Sequence, residues 1–435
     1  MRHLVFLVCL AGLGGSPRFV LGQSGNGPGK AAYGYLNGRW FDGKAFVDRP
    51  MYSVAGVLTE VRPESLDSIL DLAGGYVIPP FGDAHTHNLD GPFNLDSVRD
   101  GYLREGTFYV QVLTNTVSRS SAVRSRFNRP CDLDVRYANG GLTSTLSHPF
   151  LAYEPFAMPA IPRGADWRPY ADLIRRSRIR LDDGYWFVDE ARQVDSVWSR
   201  FVAAKPEVVK IFLLDAREHP PAMPDTGLPA GHGLRPSLVP AIVERADRAG
   251  LRVAAHVETA ADARIAIEAG VSLLAHMPGY LMRGDQDESP FVIDSATARL
   301  AGVRRVAVTP TLSWSRDAGG ASTTAAASTR RIRLQARNIA LLRAMGVTIA
   351  LGSDRFGRTA AGEFAEFVAL GLWSNAELLG LWGSETSRTI FPGRRIGVLA
   401  PGYEASFLVL GANPVESLDA IRDIQVRVKQ GCVLR

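Results

Sequence analysis

The most constraining feature of this sequence is a repeated switch between an amphipathic stretch and a short apolar run. SLVPAIVERADRAG leads into LRVAAHV, TAADARIAIEAG into VSLLAHM, DSATARLAG into VRRVAVTPT, and RLQARNIALLRAMG into VTIALGSD. SVRDGYLREG before TFYVQVLT and ARQVDSVWSRFVAAK before EVVKIFLL repeat the pattern. Glycine closes most of the amphipathic stretches, where a helix needs a left-handed C-cap, and Ser237 stands where an N-cap is expected. The runs are rich in Val, Ala, Ile and Leu without polar alternation, as strands of a helix-covered parallel sheet must be. With GYVIPPFGDAHTH and GLTSTLSHP there are about eight strand candidates, which fits a (β/α)8 TIM-like barrel. An open doubly wound sheet fits less well, because no G-x-G-x-x-G follows an early strand.

The chain ends have a different texture. GYLNGRWFDGKAF carries the turn signals Asn37-Gly38 and Asp42-Gly43 between aromatic residues and reads as hairpins. The tail, GVLAPGYEASFLVLG and IRDIQVRVKQGCVLR, also reads strand-turn-strand. Neither end is long enough to bury a core alone. The expectation is therefore one α/β protein whose barrel spans 79–390, with a small β-sandwich made jointly from 31–78 and 391–435. Residues 1–24 read as a signal peptide, with a basic start, a short apolar run and a small-residue exit, so the chain is expected to be exported to a periplasm or secreted. No later apolar stretch is long enough for a stable membrane span. Without the leader only Cys131 and Cys432 remain, which permits one disulfide and requires none. Lys and Arg number 49 against 44 Asp and Glu, a net charge of +5 that does not indicate a nucleic-acid partner.

There are eight histidines. His85, His87, His256 and His276 fall at or just beyond predicted strand ends, as does Asp354. In a barrel those ends converge on one site. His85 and His87, two apart on a strand, share a face. Neutral imidazoles and a carboxylate suit a borderline divalent ion. Taken singly each has an ordinary reading: His256 or His276 as a core histidine bonded to backbone, Asp354 as a turn or cap residue. The coincidence at matched strand ends favours a metal centre.

These residues, in their order and contexts, resemble the metal-dependent amidohydrolase superfamily, in the branch of imidazolonepropionase-like proteins and Xaa-Pro dipeptidases. DLAGGYVIPPFGDAHTH, RADRAGLRVAAHVETAADARIAIEAGVSLLAHMPG, VTIALGSD and APGYEASFLVLGANPVES carry the resemblance. It implies that His85, His87, Lys210, His256, His276 and Asp354 are metal ligands of two divalent ions, zinc being the first expectation. Lys210 would be carboxylated to bridge them; its ordinary alternative is a lysine paired with Asp215. Asp354 would also be the catalytic proton carrier. The implied activity is hydrolysis of an amide-type C–N bond in a small substrate, a dipeptide or cyclic amide, by a metal-activated hydroxide. An ester or lactone hydrolase with the same centre, or a non-catalytic barrel, are the alternatives. His148, Arg235 and Tyr280 are candidate substrate contacts, with Arg217, His219 and His232 on the same loops as Arg235 or near it. Tyr153, Trp167 and Tyr170, in the stretch AYEPFAMPAIPRGADWRPY, suit a pocket wall. A homo-oligomer is compatible with all of this. The sequence departs from the family at Pro79-Pro80-Phe81-Gly82, at SETSRTIFPGRR around Thr386, and at Ser406, where relatives carry Asp. None of these removes a ligand.

Overall fold

In a computed structural model, residues 18–21, 31–218, 228–229, 231–283, 286–317 and 324–434 are described. The chain divides into two compact units, one made of residues 1–79 with 398–435 and the other of residues 80–397. Residues 391–397, assigned from sequence to the terminal domain, fall in the larger unit. They are held there by the Arg394–Asp134 ion pair at 2.7 Å and by a bond from the Ser384 hydroxyl to the Gly397 carbonyl.

The smaller unit contains two sheets. One has five strands in the order Arg18–Leu21, Ser68–Asp71, Ala32–Leu36, Met51–Val54 and Val57–Thr59. The other has six, in the order Cys432–Leu434, Ile424–Lys429, Phe407–Leu410, Tyr76–Ile78, Arg39–Phe41 and Phe46–Asp48. Both chain ends therefore share a sheet, with Phe407–Leu410 antiparallel to Tyr76–Ile78. The rings of Tyr35, Trp40 and Phe407 meet at centroid separations of 4.9–6.2 Å and fill this unit's core. Of the two expected hairpins, only the second forms, pairing Phe41 with Phe46 across Asp42-Gly43. At Asn37-Gly38 the chain instead crosses from one sheet to the other. Gly38 is needed there, since a Cβ would lie 2.5 Å from Leu72. Arg18–Leu21, within the expected leader, runs antiparallel to Ser68–Asp71. Residues 1–17 and 22–30 lie outside the described residues.

The larger unit is a mixed α/β fold in which every named strand pairing is parallel. Three strands run in the order Asp134–Tyr137, Thr107–Val112, Phe81–Thr86. Seven more follow the order Trp186–Phe187, Leu142–Thr143, Val209–Phe212, Val253–His256, Leu273–Ala275, Ala307–Thr309, Thr348–Ile349. Backbone bonds link both edge strands of the three-stranded sheet to segments flanking strands of the other: Ala84 N–H donates to the Leu351 carbonyl (2.8 Å) and Asp354 N–H to that of His85 (2.7 Å), while Glu207 N–H, just before Val209–Phe212, donates to that of Tyr137 (2.8 Å). The expected strand over GLTSTLSHP contracts to Leu142–Thr143, and Asp134–Tyr137, in the mixed-polarity stretch DVRYANGG, supplies a strand the apolar-run criterion passes over. Ser237 is not an N-cap. Pro236 takes the first position of a 3-10 turn whose cap is Arg235, and the helix Val239–Arg248 continues from it, because a missing N–H costs nothing at that position. No described helix is long and apolar enough to cross a membrane.

The departure at SETSRTIFPGRR has a packing role. It lies beside Trp382, whose ring stacks on Phe81 at 3.9 Å and on Phe364 at 4.6 Å, and whose Nε1–H donates to the Gly82 carbonyl at 3.0 Å. Trp382→Ala is expected to lower unfolding free energy by about 3–5 kcal/mol, the usual cost of emptying a buried aromatic site. Urea titration checks this. Trp382→Phe keeps one ring in the stack and should lose distinctly less; equal losses would show that the stack is not what holds this corner.

Candidate metal centre

The strand Phe81–Thr86 is buried along its whole length, and the period of two aims His85 and, just beyond the strand, His87 the same way. Asp354 arrives from the far edge of the seven-stranded sheet. Its backbone is left-handed (φ 49°), a conformation Asp and Asn tolerate better than most residues. Gly352 permits the approach, since a Cβ there would lie 2.7 Å from that of His85. As a result one carboxylate oxygen of Asp354 lies 3.1 Å from His85 Nε2 and 2.9 Å from His87 Nε2. Its other oxygen lies 3.6 Å from His276 Nδ1. His85, His87 and Asp354 each offer a ligand atom within 4.8 Å of the others.

The rest of the centre follows by ring contact. His276 sits 4.7 Å from both His85 and His256, and His148 lies 5.1 Å from His256, all between ring centroids. His148 is exposed, at the outer end of this row. Tyr280 is buried within it. Its hydroxyl is 3.1 Å from His256 Nε2 and its ring stacks on His276 at 4.1 Å. Lys210 is 1% exposed, and its Nζ has no hydrogen-bond partner among the described residues, so the alternative pairing with Asp215 is not made. Arg235 is exposed and caps the 3-10 turn at Pro236. His232 Nδ1 donates to the Leu214 carbonyl at 2.8 Å, Arg217 lies in a 3-10 turn, and His219 falls outside the described residues.

The protonation pattern suits a cation. His87 Nδ1 is 3.1 Å from the Thr114 carbonyl, which only accepts, so this nitrogen carries the proton. Its Nε2 then turns a lone pair toward a carboxylate, an arrangement that needs a positive species, either a second proton or a metal. Accordingly, although burial works to lower its pKa, the bond and charge of Asp354 and the Thr114 carbonyl raise it above the ordinary histidine value. Burial lowers His85 to about 4 and holds His256 and His276 well below the usual range, which keeps these rings neutral and able to ligate. His85 Nδ1 is buried without a partner among the described residues. For Asp354 burial opposes ionisation, but the pull of His85, His276 and His87 wins and keeps it a carboxylate. Lys210 falls to about 7 through burial, against the attraction of Asp354. The donor set thus fits a bound metal.

Solved structures of similar architecture match almost the whole chain. An amidohydrolase is 20% identical with a TM-score of 0.67, covering 93% of this chain and 99% of its own. The chain shares that protein's fold. A prolidase complexed with N-methylphosphonate-L-proline shares that fold at 19% identity and a TM-score of 0.66, with 93% and 100% coverage. The A. niger ochratoxinase does so at 18% and 0.68, with 93% and 95% coverage. No family model matches the sequence, and no curated protein matches it.

Within this fold several residues that sequence reasoning passed over position the ligands. The Asp83 carboxylate accepts from Ser353 N–H (3.0 Å), Ser353 Oγ–H (2.9 Å) and Tyr102 O–H (3.0 Å), which fastens the His85 strand to the residue before Asp354. The Asn88 amide donates to Tyr102 (3.0 Å) and accepts from Gly357 N–H (2.8 Å), fixing the loop after Asp354. Asp262, on the helix Ala260–Ala269, accepts from Asp215, Ala216 and Thr259 N–H and so ties the loop after the Lys210 strand to the one after His256. The T-x-x-D spacing from Thr259 to Asp262 is a capping-box signal that was readable. Thr311 Oγ1, 2.9 Å from His276 Nδ1, orients that ring. Two cavities lie near the row. One, lined partly by Glu258, lies near His256, whose Nε2 is 3.6 Å from the Glu258 carboxylate; burial raises Glu258 to about 7. The other lies beside His87 and is lined by Tyr153 and Trp167, but not Tyr170.

Proposed function

We propose that this protein is a metal-dependent hydrolase of an amide C–N bond in a small substrate. The observation that carries the reading is the Asp354 carboxylate facing His85 and His87 while Thr114 occupies the other nitrogen of His87. The fold supports it, being shared with an amidohydrolase, a prolidase and an ochratoxinase. In this reading the two parallel sheets close as a (β/α)8 barrel, and the paired terminal segments form its companion sandwich.

His85, His87, His256, His276 and Asp354 would hold one or two divalent ions, zinc among the candidates, with Lys210 joining them once carboxylated. Bound metal would make water nucleophilic near neutral pH and polarise the scissile carbonyl. Asp354, kept ionised, accepts the proton released from water and returns it to the departing nitrogen. Lys210 is suited to carboxylation because burial leaves a neutral amine near pH 7; its nitrogen lone pair adds to the carbon of CO2 and a proton is lost, giving a carbamate. His148, exposed at the end of the row, is placed to meet the substrate carbonyl or a carboxylate. Tyr280 would act from within the row and Arg235 from its exposed loop.

Metal analysis with a substrate panel tests the proposal: Xaa-Pro and other dipeptides, N-acyl amino acids, hydantoin-like rings and lactones. One or two ions per chain with turnover of an amide are expected. Metal-free protein that cannot be loaded, or turnover confined to lactones, would sink it. We further propose export, supported by the leader-like N-terminus.

A further inference from the structure

We infer that the cavity beside His87 selects substrates whose leaving residue carries both a large aromatic side chain and a free carboxylate, as in a dipeptide ending in phenylalanine or tryptophan. The inference rests on the hydrolase reading above and names its substrate class. The cavity measures about 280 Å³, at the small end for ligand sites, so it suits one side chain and its immediate neighbours. Its wall adjoins the candidate centre. Thr114, whose carbonyl holds His87 Nδ1, lines it, and so does Phe356, whose ring is 5.5 Å from that of His87.

Three further aromatic residues, Tyr153, Phe156 and Trp167, belong to the lining. Tyr153 and Phe156 lie three apart on the helix Phe150–Ala157 and so share a face; Trp167 meets Phe156 edge-on at 5.5 Å. The helix is anchored along its buried side. Phe150 is fully buried beside Tyr185, and the Glu154 carboxylate accepts from Arg180 N–H (2.8 Å) and Ile179 N–H (3.2 Å). That anchoring makes the wall stiff. Phe156 and Phe356 are nevertheless 73% and 71% exposed. Two large rings held open to water in the lining of one cavity are covered when an apolar group enters it.

Charge supplies the second half of the specificity. Arg119, Arg163 and Arg180 line the cavity against one carboxylate, Asp90. Arg119 bonds to Asp90 at 3.3 Å and Arg180 to Asp183 at 2.8 Å. Arg163 is exposed and makes no hydrogen bond or ion pair among the described residues, so one guanidinium is available to a carboxylate. In a C-terminal aromatic residue the carboxylate and ring leave the same Cα. A substrate with its scissile carbonyl at the histidine row would therefore offer both groups to this cavity together.

The test compares kcat/KM for Gly-Phe and Gly-Trp with Gly-Ala and with Gly-Phe amide on metal-loaded protein. The aromatic acids are expected to exceed Gly-Ala by about 10- to 100-fold, the range a filled apolar pocket supplies. Gly-Phe amide should fall below Gly-Phe, mainly through KM. Phe356→Ala, at an exposed position that should not disturb folding, and Trp167→Ala should both shrink the Phe/Ala ratio. Arg163→Gln should erase the difference between acid and amide. Equal turnover of Gly-Phe and Gly-Ala overturns the inference and leaves the hydrolase reading standing. If no amide is cleaved, that reading fails, and calorimetry with phenylalanine still decides the pocket: binding weakened in Phe356→Ala supports it, and no binding overturns it.

Discussion

Asp354→Asn is expected to lower kcat by roughly 10²- to 10⁴-fold, the range typical of a positioned proton carrier. The substitution is chosen because the backbone should not object. Residue 354 has φ 49°, which asparagine adopts readily, and its N–H bond to the His85 carbonyl is unaffected. What changes is one oxygen and one charge. That carboxylate lies within 3.6 Å of His85, His87 and His276, whose combined pull keeps it ionised although it is buried. An amide can neither accept the proton from water nor return it to a leaving nitrogen, and it turns an N–H toward the rings or toward the ion. Metal content should fall less than activity, because four histidines and Lys210 remain. Melting temperature should stay near that of the parent. A variant that retains its metal and full turnover would remove Asp354 from the mechanism.

The parts of this centre that were legible in the sequence are those set by local backbone rules. A strand aims alternate residues one way, so His85 and His87 could be paired on sight, and apolar runs ending in His256, His276 and Asp354 announced convergence at strand ends. The shared sheet of the two chain ends was legible for a different reason: neither end could bury its own apolar face. Groups that act through tertiary partners were not legible. Asp83 stands two residues before His85, but its role depends on Ser353, 270 residues away, and nothing local to DAHTH points there. The raised pKa of Glu258 comes from burial and, after it, from the charge of Asp262. The strand Asp134–Tyr137 was missed because DVRY lacks an apolar run, its arginine reaching instead to the Ile390 carbonyl at 2.7 Å. Asn37-Gly38 was misread for a related reason. The dipeptide fixes a tight turn, while the choice between hairpin and crossover depends on which sheet can bury Trp40. The aromatic stretch from Tyr153 to Trp167 was legible as a wall, whereas Phe356, which completes it, comes from a loop remote in sequence.

Lys210→Met is expected to make the metal-free protein more stable and the metal-loaded protein less so, with both effects dependent on pH in a set direction. Without metal, Lys210 is a buried amine with no hydrogen-bond partner among the described residues and a pKa lowered to about 7, against roughly 10.4 in the unfolded chain. Below pH 7 it is charged in both states, and the folded state bears the whole cost of burying that charge. Between pH 7 and about 10.4 the folded form sheds its proton first, so the cost shrinks as pH rises and is gone above that window. Methionine has similar length and no charge, and should therefore gain on the order of a few kcal/mol near pH 6, with the gain fading toward pH 10. Urea midpoints of chelator-treated parent and variant, measured from pH 6 to 10, give this slope directly. Once metal and CO2 are restored, a carboxylated Lys210 becomes an anionic ligand that methionine cannot imitate. The parent should then be the more stable of the two, and its intact mass under native conditions should carry the added CO2. A stability difference that keeps one sign with and without metal, or that does not vary with pH, would show that Lys210 is an ordinary buried lysine and not a ligand in waiting.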